Sequence, residues 1–241
     1  MKAATLTNIH YMDQISIDIK TIDWTEGDHS RLSLMIANGK SATIAWGDGR
    51  KQTVYGRQDY MNGGLVWTSI DHYYAHKDYS YTIDIQGDDG SIIGFSGMAM
   101  FEQSTFRVDV SRCPSLEIFE YSTCGPFTLD VSHNPKLKKI EAVEISNERL
   151  DFSPNPLLED LSLRDSKSLV SLKLSKNDRL KKLSVFLCHK LRHIALSNSS
   201  SLNWVDLQGS HLHPRDKEYL MKTLERNEPY HIEEDDDYWE E

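Results

Sequence analysis

Two columns of apolar residues recur at a nearly constant spacing through the second half of this chain. The step is eleven residues, shortened twice to ten, and the second column follows the first by two residues. Such a period means stacked repeats, in which each coil covers the apolar side of its neighbour. The sequence therefore predicts a solenoid. The first column consists of Val108, Phe119, Leu129, Ile140, Leu150, Leu161, Leu172, Leu183, Ile194 and Val205.

Each half-repeat has the pattern of a short strand followed by a turn. The alternation at Leu172 and Leu174 predicts a strand with one buried face. An asparagine follows the strand by three residues in alternate half-repeats, at Asn134, Asn155 and Asn177. We expect these side chains to be buried and to hydrogen-bond backbone groups at the turn. The full repeat is thus a pair of halves, 21 to 22 residues long, which gives about five coils.

The pattern Leu-x-x-Leu-x-Leu-x-x-Asn resembles bacterial leucine-rich repeats, above all the kind common in Bacteroidetes. The strongest matches are the run Leu-Asp-Val-Ser-His-Asn-Pro at residues 129–135 and its echo at residues 150–156. The resemblance covers residues 106–210 and implies a leucine-rich-repeat β-solenoid. Members of this family bind many unrelated ligands, so the resemblance implies binding without naming the ligand.

Residues 13–97 have a different pattern, in which alternating apolar runs are separated by Asn-Gly and Asp-Gly turns. This pattern predicts a small β-sandwich. Three runs resemble the PKD-type immunoglobulin-like sandwich: Trp-Gly-Asp-Gly at 46–49, His-Tyr-Tyr at 72–74 and Tyr-Thr-Ile at 81–83. In that family such residues stabilise the fold, so the resemblance implies structural roles for Trp46, Asp48, His72 and Tyr74.

The end of the solenoid needs a cover, because its last coil would otherwise expose an apolar face. Pro214 suits a first helical turn, and Asp216 near the start and Arg226 near the end match the helix dipole. We therefore expect a mainly β protein with four parts: a PKD-like β-sandwich (1–98), a leucine-rich-repeat solenoid (99–210), a capping helix (211–227) and an acidic tail (228–241).

Charge and hydropathy exclude several classes of protein. The net charge is −10, and residues 228–241 hold eight acids and no lysine or arginine, which leaves −2 for the rest of the chain. A nearly neutral body argues against a nucleic-acid surface.

No apolar run approaches the roughly 20 residues that span a bilayer, and residues 1–20 lack the apolar stretch of a signal peptide. We expect a cytoplasmic protein, or an envelope or secreted one if a leader has been removed.

Outward-facing residues between the apolar positions form columns across the coils. On one face the column contains Asp109, Asp130, Asp151 and Lys173. One interpretation is a docking stripe for a cationic ligand, and the other is a set of solvent-screened surface residues. On the opposite face Trp204 is either a binding anchor or a residue that packs under the C-terminal helix.

Charged residues before the strands of that opposite face alternate in sign from coil to coil. This alternation predicts a ladder of ion pairs that sets the register rather than a binding site. The four residues are Glu117, Lys138, Glu159 and Lys181.

The end of the chain combines acids with aromatic residues. An acidic run is usually solvated, but the aromatic pair gives this one a way to fold onto a partner or onto a basic patch of the same protein. The candidate binding residues here are Asp235, Asp236, Asp237, Tyr238 and Trp239.

The sequence does not predict catalysis. Cys113, Cys124 and Cys188 share one turn position in the repeat, so we expect reduced packing residues, and no histidine or cysteine spacing predicts a metal site. We therefore expect no cofactor and no enzyme activity. The predicted function is non-catalytic recognition of another macromolecule, above all a protein, through the solenoid. A basic protein is one candidate partner, and a cytosolic adaptor or toxin-neutralising immunity protein is one form that this function can take. The alternative is a cell-envelope module that binds glycans or host ligands; nucleic acid, membrane insertion and small-molecule ligands are not expected.

Overall fold

The computed structural model describes residues 12–21, 30–61, 63–74, 80–99, 103–122, 125–197 and 201–234. Within these ranges the chain is mainly β, as predicted, with one helix. The elements are β1 (Asp13–Thr21), β2 (Ser30–Ile36), β3 (Ser41–Ala45), β4 (Lys51–Tyr55), β5 (Trp67–His72), β6 (Ser80–Gly87), β7 (Ile92–Ala99), β8 (Gln103–Arg112), β9 (Ile118–Ser122), β10 (Lys139–Val143), β11 (Arg149–Asp151), β12 (Asp160–Arg164), β13 (Ser171–Leu174), β14 (Lys182–Ser184), β15 (His193–Leu196), β16 (Trp204–Asp206), α1 (Pro214–Arg226) and β17 (His231–Glu233).

The N-terminal part consists of two sheets around an apolar core. One sheet has the strand order β4-β3-β6-β1-β8, and the other contains β7, β2 and β5. These strands pair antiparallel, and their residues are buried alternately, as at Ile15, Ile17 and Ile19 of β1. The alternation that predicted strands also determines which side chains face the core.

The C-terminal part is a β-solenoid, as the repeat predicts. On one side β9, β10, β12, β14 and β16 stack in parallel, so that Ile140 lies beside Leu161 and Leu161 beside Leu183. On the other side β11, β13 and β15 stack in the same way, with Leu172 beside Ile194. The apolar columns thus run in register through two sheets that share a core.

The solenoid has about four turns, whereas the spacing predicted about five. The first predicted coil contains β8 and β9. These strands also pair with β1 and β7, so that coil belongs to the N-terminal sheets as much as to the repeat. A repeat pattern marks which residues are apolar, but it does not identify their partner strands.

Both N-terminal sheets continue into the solenoid. Because β7 pairs in parallel with β9, one sheet of nine strands runs from β5 to β17. The opposite sheet ends at β8, which is linked to the next coil by a bridge between Arg107 and Thr128. The buried apolar residues of both parts form one cluster. Near residue 98 the strand pairing changes from antiparallel to parallel without a break in the nine-stranded sheet.

The predicted asparagine ladder is present at the turns. Asn134, Asn155 and Asn177 are buried, and each Nδ2 donates two hydrogen bonds of 2.8 to 3.0 Å to carbonyl oxygens of the preceding coil. Each amide therefore ties its coil to the one before it. Each of these carbonyls also accepts a backbone N–H within its own turn, so the asparagine supplies a second donor inside the core.

The predicted charge ladder is also present. Lys138 binds Glu117 and Lys181 binds Glu159, each with an N–O distance of 2.7 Å. Both pairs are partly exposed, so each contributes little to stability and mainly favours one register.

The cysteines that the structure describes occupy packing positions. Cys113 and Cys188 are buried and free. Burial raises the pKa of the Cys188 thiol to about 11, so the group is held as an unreactive thiol. Cys124 lies outside the described residues.

Four aromatic and charged side chains form one cluster in the N-terminal part. The rings of Trp46 and His72 stack with centroids 4.3 Å apart, and the Tyr74 hydroxyl donates to the Trp46 carbonyl at 3.0 Å. His72 Nε2 lies 2.9 Å from Asp48 Oδ2. These contacts link the β3–β4 turn to the end of β5.

A helix and an added strand cover the C-terminal end. The helix spans Pro214–Arg226, as predicted, and buries Leu220 and Leu224 against the last coil. The Asp216 carboxylate accepts a hydrogen bond from the Ile194 N–H at 3.3 Å, on the edge of β15 that none of the described strands covers. Within the described ranges, no helix combines the length and apolar character needed to cross a membrane.

The segment assigned to the acidic tail begins with ordered structure. Residues His231–Glu233 form β17, which pairs in parallel with β16. This strand covers the edge of β16 and is the outermost strand of the nine-stranded sheet at this end. Residues 235–241 lie outside the described residues.

Candidate binding surfaces

The predicted aspartate column lies on the face formed by β8, β11, β13 and β15. In the sheet, Lys173 is paired with Asp151 on one side and Ala195 on the other. Asp109 and Asp130 line a shallow groove of about 450 Å³ together with His133. The structure thus brings the predicted residues to one face.

Each aspartate of this column binds the backbone of the residue two positions later. In each case Oδ1 accepts a hydrogen bond from the N–H of the serine two residues later, at 2.8 to 3.0 Å. This is an Asx turn, in which the side chain substitutes for a backbone acceptor. The signal for it was the pattern Asp-x-Ser, which recurs at residues 109–111, 130–132 and 151–153. In the sequence analysis the aspartates were recognised as a column but were not connected with the serines two residues later.

Two of these three carboxylates also have a cation of their own. Arg107 binds Asp109 at 2.7 Å, and Lys173 binds Asp151 at 2.8 Å. Hydrogen bonds from Lys173 and Ser153 lower the pKa of Asp151 to about 2. Most of the negative charge that a docking stripe needs is therefore compensated within the face itself.

The opposite face, formed by β12, β14 and β16, carries a groove of about 460 Å³. We call it the serine groove. The groove forms because two of the three side chains of the middle row are serines, whereas the rows on both sides are larger. The lining residues are Asp160, Lys182 and Trp204 on one wall, Ser162, Ser184 and Asp206 on the floor, and Arg164, Phe186 and Gln208 on the other wall, with Glu233 at the end.

A buried carboxylate lies on the floor of the serine groove. Asp206 is 8% exposed, and it accepts hydrogen bonds from the Ser184 hydroxyl at 3.0 Å and the Gln208 N–H at 3.1 Å. These two donors hold the side chain in one orientation. A fixed acceptor on the floor gives the groove polar selectivity.

Trp204 forms part of a wall of this groove. Its ring stacks on the ring of His231 in β17, with centroids 6.0 Å apart and an angle of 17° between the planes. The sequence offered the helix as the neighbour of Trp204. The ring contact is instead with β17, a strand that lies outside the repeat pattern.

Two cations of the serine groove have no carboxylate within ion-pair distance among the described residues. The Arg164 guanidinium lies 5.3 Å from the centre of the Phe186 ring, and Lys182 on the other wall is exposed. Burial raises the pKa of Asp160, which lies beside Lys182 in the sheet. The groove therefore combines uncommitted cations, aromatic edges and fixed hydrogen-bonding groups.

The remaining predicted site residues, Asp235, Asp236, Asp237, Tyr238 and Trp239, lie outside the described residues. Their role in binding stays a prediction. Within the described ranges, no group of three histidine, cysteine or acidic side chains is arranged to hold a metal ion.

No protein-family model, no curated protein and no solved structure matches this chain.

Proposed function

We propose that this chain is a non-catalytic recognition protein that binds another protein through the serine groove of its solenoid. The observation that carries the proposal is the groove itself, where Arg164 and Lys182 lack carboxylate partners among the described residues on either side of the buried Asp206. Interface cores are enriched in aromatic residues and arginine, and this groove offers both. It lies on a continuous sheet, so its geometry is fixed before a partner arrives.

A protein ligand fits this groove better than a glycan does. Sugar binding relies on an open aromatic face, but Trp204 is stacked against His231, and Phe186 has the Arg164 guanidinium over its ring. Aromatic edges and a guanidinium suit contacts with protein side chains. This favours the adaptor or immunity-protein interpretation over the envelope glycan-binding module.

The same proposal assigns the two parts of the chain to families. The in-register apolar columns and the asparagine ladder support a bacterial leucine-rich repeat. The cluster of Trp46, Asp48, His72 and Tyr74 supports a PKD-like sandwich. A cytoplasmic location belongs to this proposal as well.

The experiment uses the purified full chain as bait in affinity purification from its native cells. Ser162→Tyr fills the floor of the groove, and Ser175→Tyr places the same bulk at an exposed position after β13. We expect one partner protein to be retained by the wild type and by Ser175→Tyr. With the recombinant partner, calorimetry should show a Kd at least about 10-fold higher for Ser162→Tyr, or about 1.4 kcal/mol.

Two results would contradict the proposal. One is a partner whose affinity is equal for wild type, Ser162→Tyr and Ser175→Tyr, since the groove would then not be the contact. The other is that the affinity purification retains no protein, while the chain binds a glycan on an array and Ser162→Tyr abolishes that binding.

A further inference from the structure

Basic residues gather at the C-terminal end of the solenoid, around the turn before β15 and the first turn of α1. We call this set the end patch. The acid nearest to it in the chain, Asp216, is engaged by His193 Nδ1 at 3.1 Å. The end patch consists of Lys190, Arg192, His193, His213, Arg215 and Lys217.

Most of the positive charge in the end patch is uncompensated among the described residues. Lys190, Arg192 and Arg215 are exposed, and none has a described carboxylate within ion-pair distance. The Arg192 guanidinium donates to the carbonyls of His189 and Leu191, at 2.8 and 2.9 Å, which fixes its position without neutralising it. The patch is therefore a preformed site for anionic groups.

The described part of the chain ends against α1. Glu234, the last described residue, forms an ion pair with Lys217 in the first turn of α1. Arg215 lies two residues before Lys217, a rise of about 3 Å along the helix. Residues two positions apart lie on opposite sides of a helix, so the chain is anchored at the same end of α1 as Arg215 but on the other side of it.

A groove next to the end patch has room for large side chains. It has a volume of about 420 Å³ and lies between α1 and the outer face of β15. Its lining includes Lys173, Ala195, Arg215 and Tyr219. Arg215 and Tyr219, four residues apart, share the side of α1 that lines the groove, whereas Lys217 lies on the other side. A segment that starts at Glu234 must therefore pass around α1, which is about 10–12 Å wide, to reach the groove.

We propose that residues 235–241 dock on the end patch of their own chain. Their five acids complement Lys190, Arg192 and Arg215, and Tyr238 and Trp239 fit the groove beside Tyr219. Seven residues reach at most about 25 Å, which covers the patch from Glu234. Because the tail is tethered at a millimolar effective concentration, weak contacts suffice. The tail is then a self-contact that any partner of the tail or of the patch must displace.

Carbodiimide cross-linking of the full chain tests this inference, because the reagent joins carboxylates to lysines that lie close together. We expect peptides from residues 235–241 to be linked to Lys190 and Lys173 in preference to Lys51 or Lys181. The double variant Arg192→Glu and Arg215→Glu should lower the yield of these links at least about fivefold. The matched control, Arg57→Glu with Arg179→Glu, changes the net charge equally at exposed sites and should leave them unchanged.

Salt provides a second measurement that needs no substitution. Raising the ionic strength to about 0.5 M shortens the Debye length to about 4 Å and should reduce the same links. Links spread evenly over all lysines, or links that persist in the Arg192→Glu and Arg215→Glu variant and in salt, would overturn the inference. Circular dichroism of each variant checks that the fold is retained. No partner protein is involved, so the result is independent of the proposed function.

Discussion

At the scale of single residues, His72 and Asp48 form a constrained pair of titratable groups. His72 is 6% exposed, and burial lowers its pKa more than the hydrogen bond to Asp48 raises it. Burial alone would raise the pKa of Asp48, but hydrogen bonds from Arg50 and His72 lower it to about 2. The folded protein therefore holds a neutral histidine against an ionised carboxylate.

This pair predicts a loss of stability in acid. Below pH about 6.5 the unfolded chain binds a proton at His72 that the folded chain does not, so the free energy of unfolding falls by up to about 1.4 kcal/mol per pH unit. Between about pH 4 and pH 2, the unfolded chain also binds a proton at Asp48 that the folded chain does not, and this adds to the loss of stability. Urea unfolding from pH 7 to pH 5 measures the first effect.

The variant His72→Gln separates this effect from other titrations. It should be less stable than the wild type at pH 7 but should lose less stability on acidification. His189→Gln, at an exposed position, should keep the slope of the wild type. Parallel slopes for His72→Gln and wild type would contradict the assignment.

A second residue-scale prediction concerns the glycines of the β3–β4 turn. Gly47 has φ +84°, and a Cβ there would lie 2.7 Å from the Thr82 carbonyl oxygen. Gly49 has φ +91° with nothing within 4 Å. Both alanine variants carry backbone strain, but only Gly47→Ala adds a clash. In urea unfolding, Gly47→Ala should therefore have a free energy of unfolding about 1–3 kcal/mol lower than that of Gly49→Ala. Equal values for the two variants would argue against this packing.

At the scale of elements, the asparagine ladder joins one coil to the next. Asn155→Ala removes two hydrogen bonds and leaves the carbonyls of Val131 and Asn134 without their side-chain donor inside the core. We expect a loss of about 2–4 kcal/mol in the free energy of unfolding. Lys181→Ala, which breaks an exposed ion pair with Glu159, should cost less than about 1 kcal/mol. A similar cost for both variants in urea unfolding would contradict the ladder.

The sequence predicted elements wherever a local pattern specifies them. The apolar columns predicted the solenoid strands, and Pro214 with Arg226 marked the helix, because periodicity and end residues act within one element. Strand β17 was missed because three residues, His-Ile-Glu, carry no repeat signal and pair through their backbone. The serine groove was missed because its shape depends on the sizes of side chains in three separate coils, and Trp204 alone was recognised.

At the scale of the whole molecule, the shared sheets predict cooperative unfolding. The nine-stranded sheet and the single apolar cluster leave no interface along which the two parts could separate. We expect one calorimetric transition whose enthalpy equals the van't Hoff value. Gly47→Ala, in the N-terminal part, should also weaken hydrogen-exchange protection at Leu161 and Leu183. Two transitions, or unchanged protection at these solenoid amides, would contradict a single unit.

The alternating charge ladder limits how such a chain can change its size. Glu117, Lys138, Glu159 and Lys181 follow one another on successive coils. Excising the coil that carries Glu159 would preserve the apolar columns but set Lys138 against Lys181, whereas excising Lys138 and Glu159 together would pair Glu117 with Lys181. We therefore expect a chain shortened by two coils to keep opposite charges on neighbouring coils, and a chain shortened by one coil to lose less than about 1 kcal/mol of stability to like-charge contacts at these partly exposed positions.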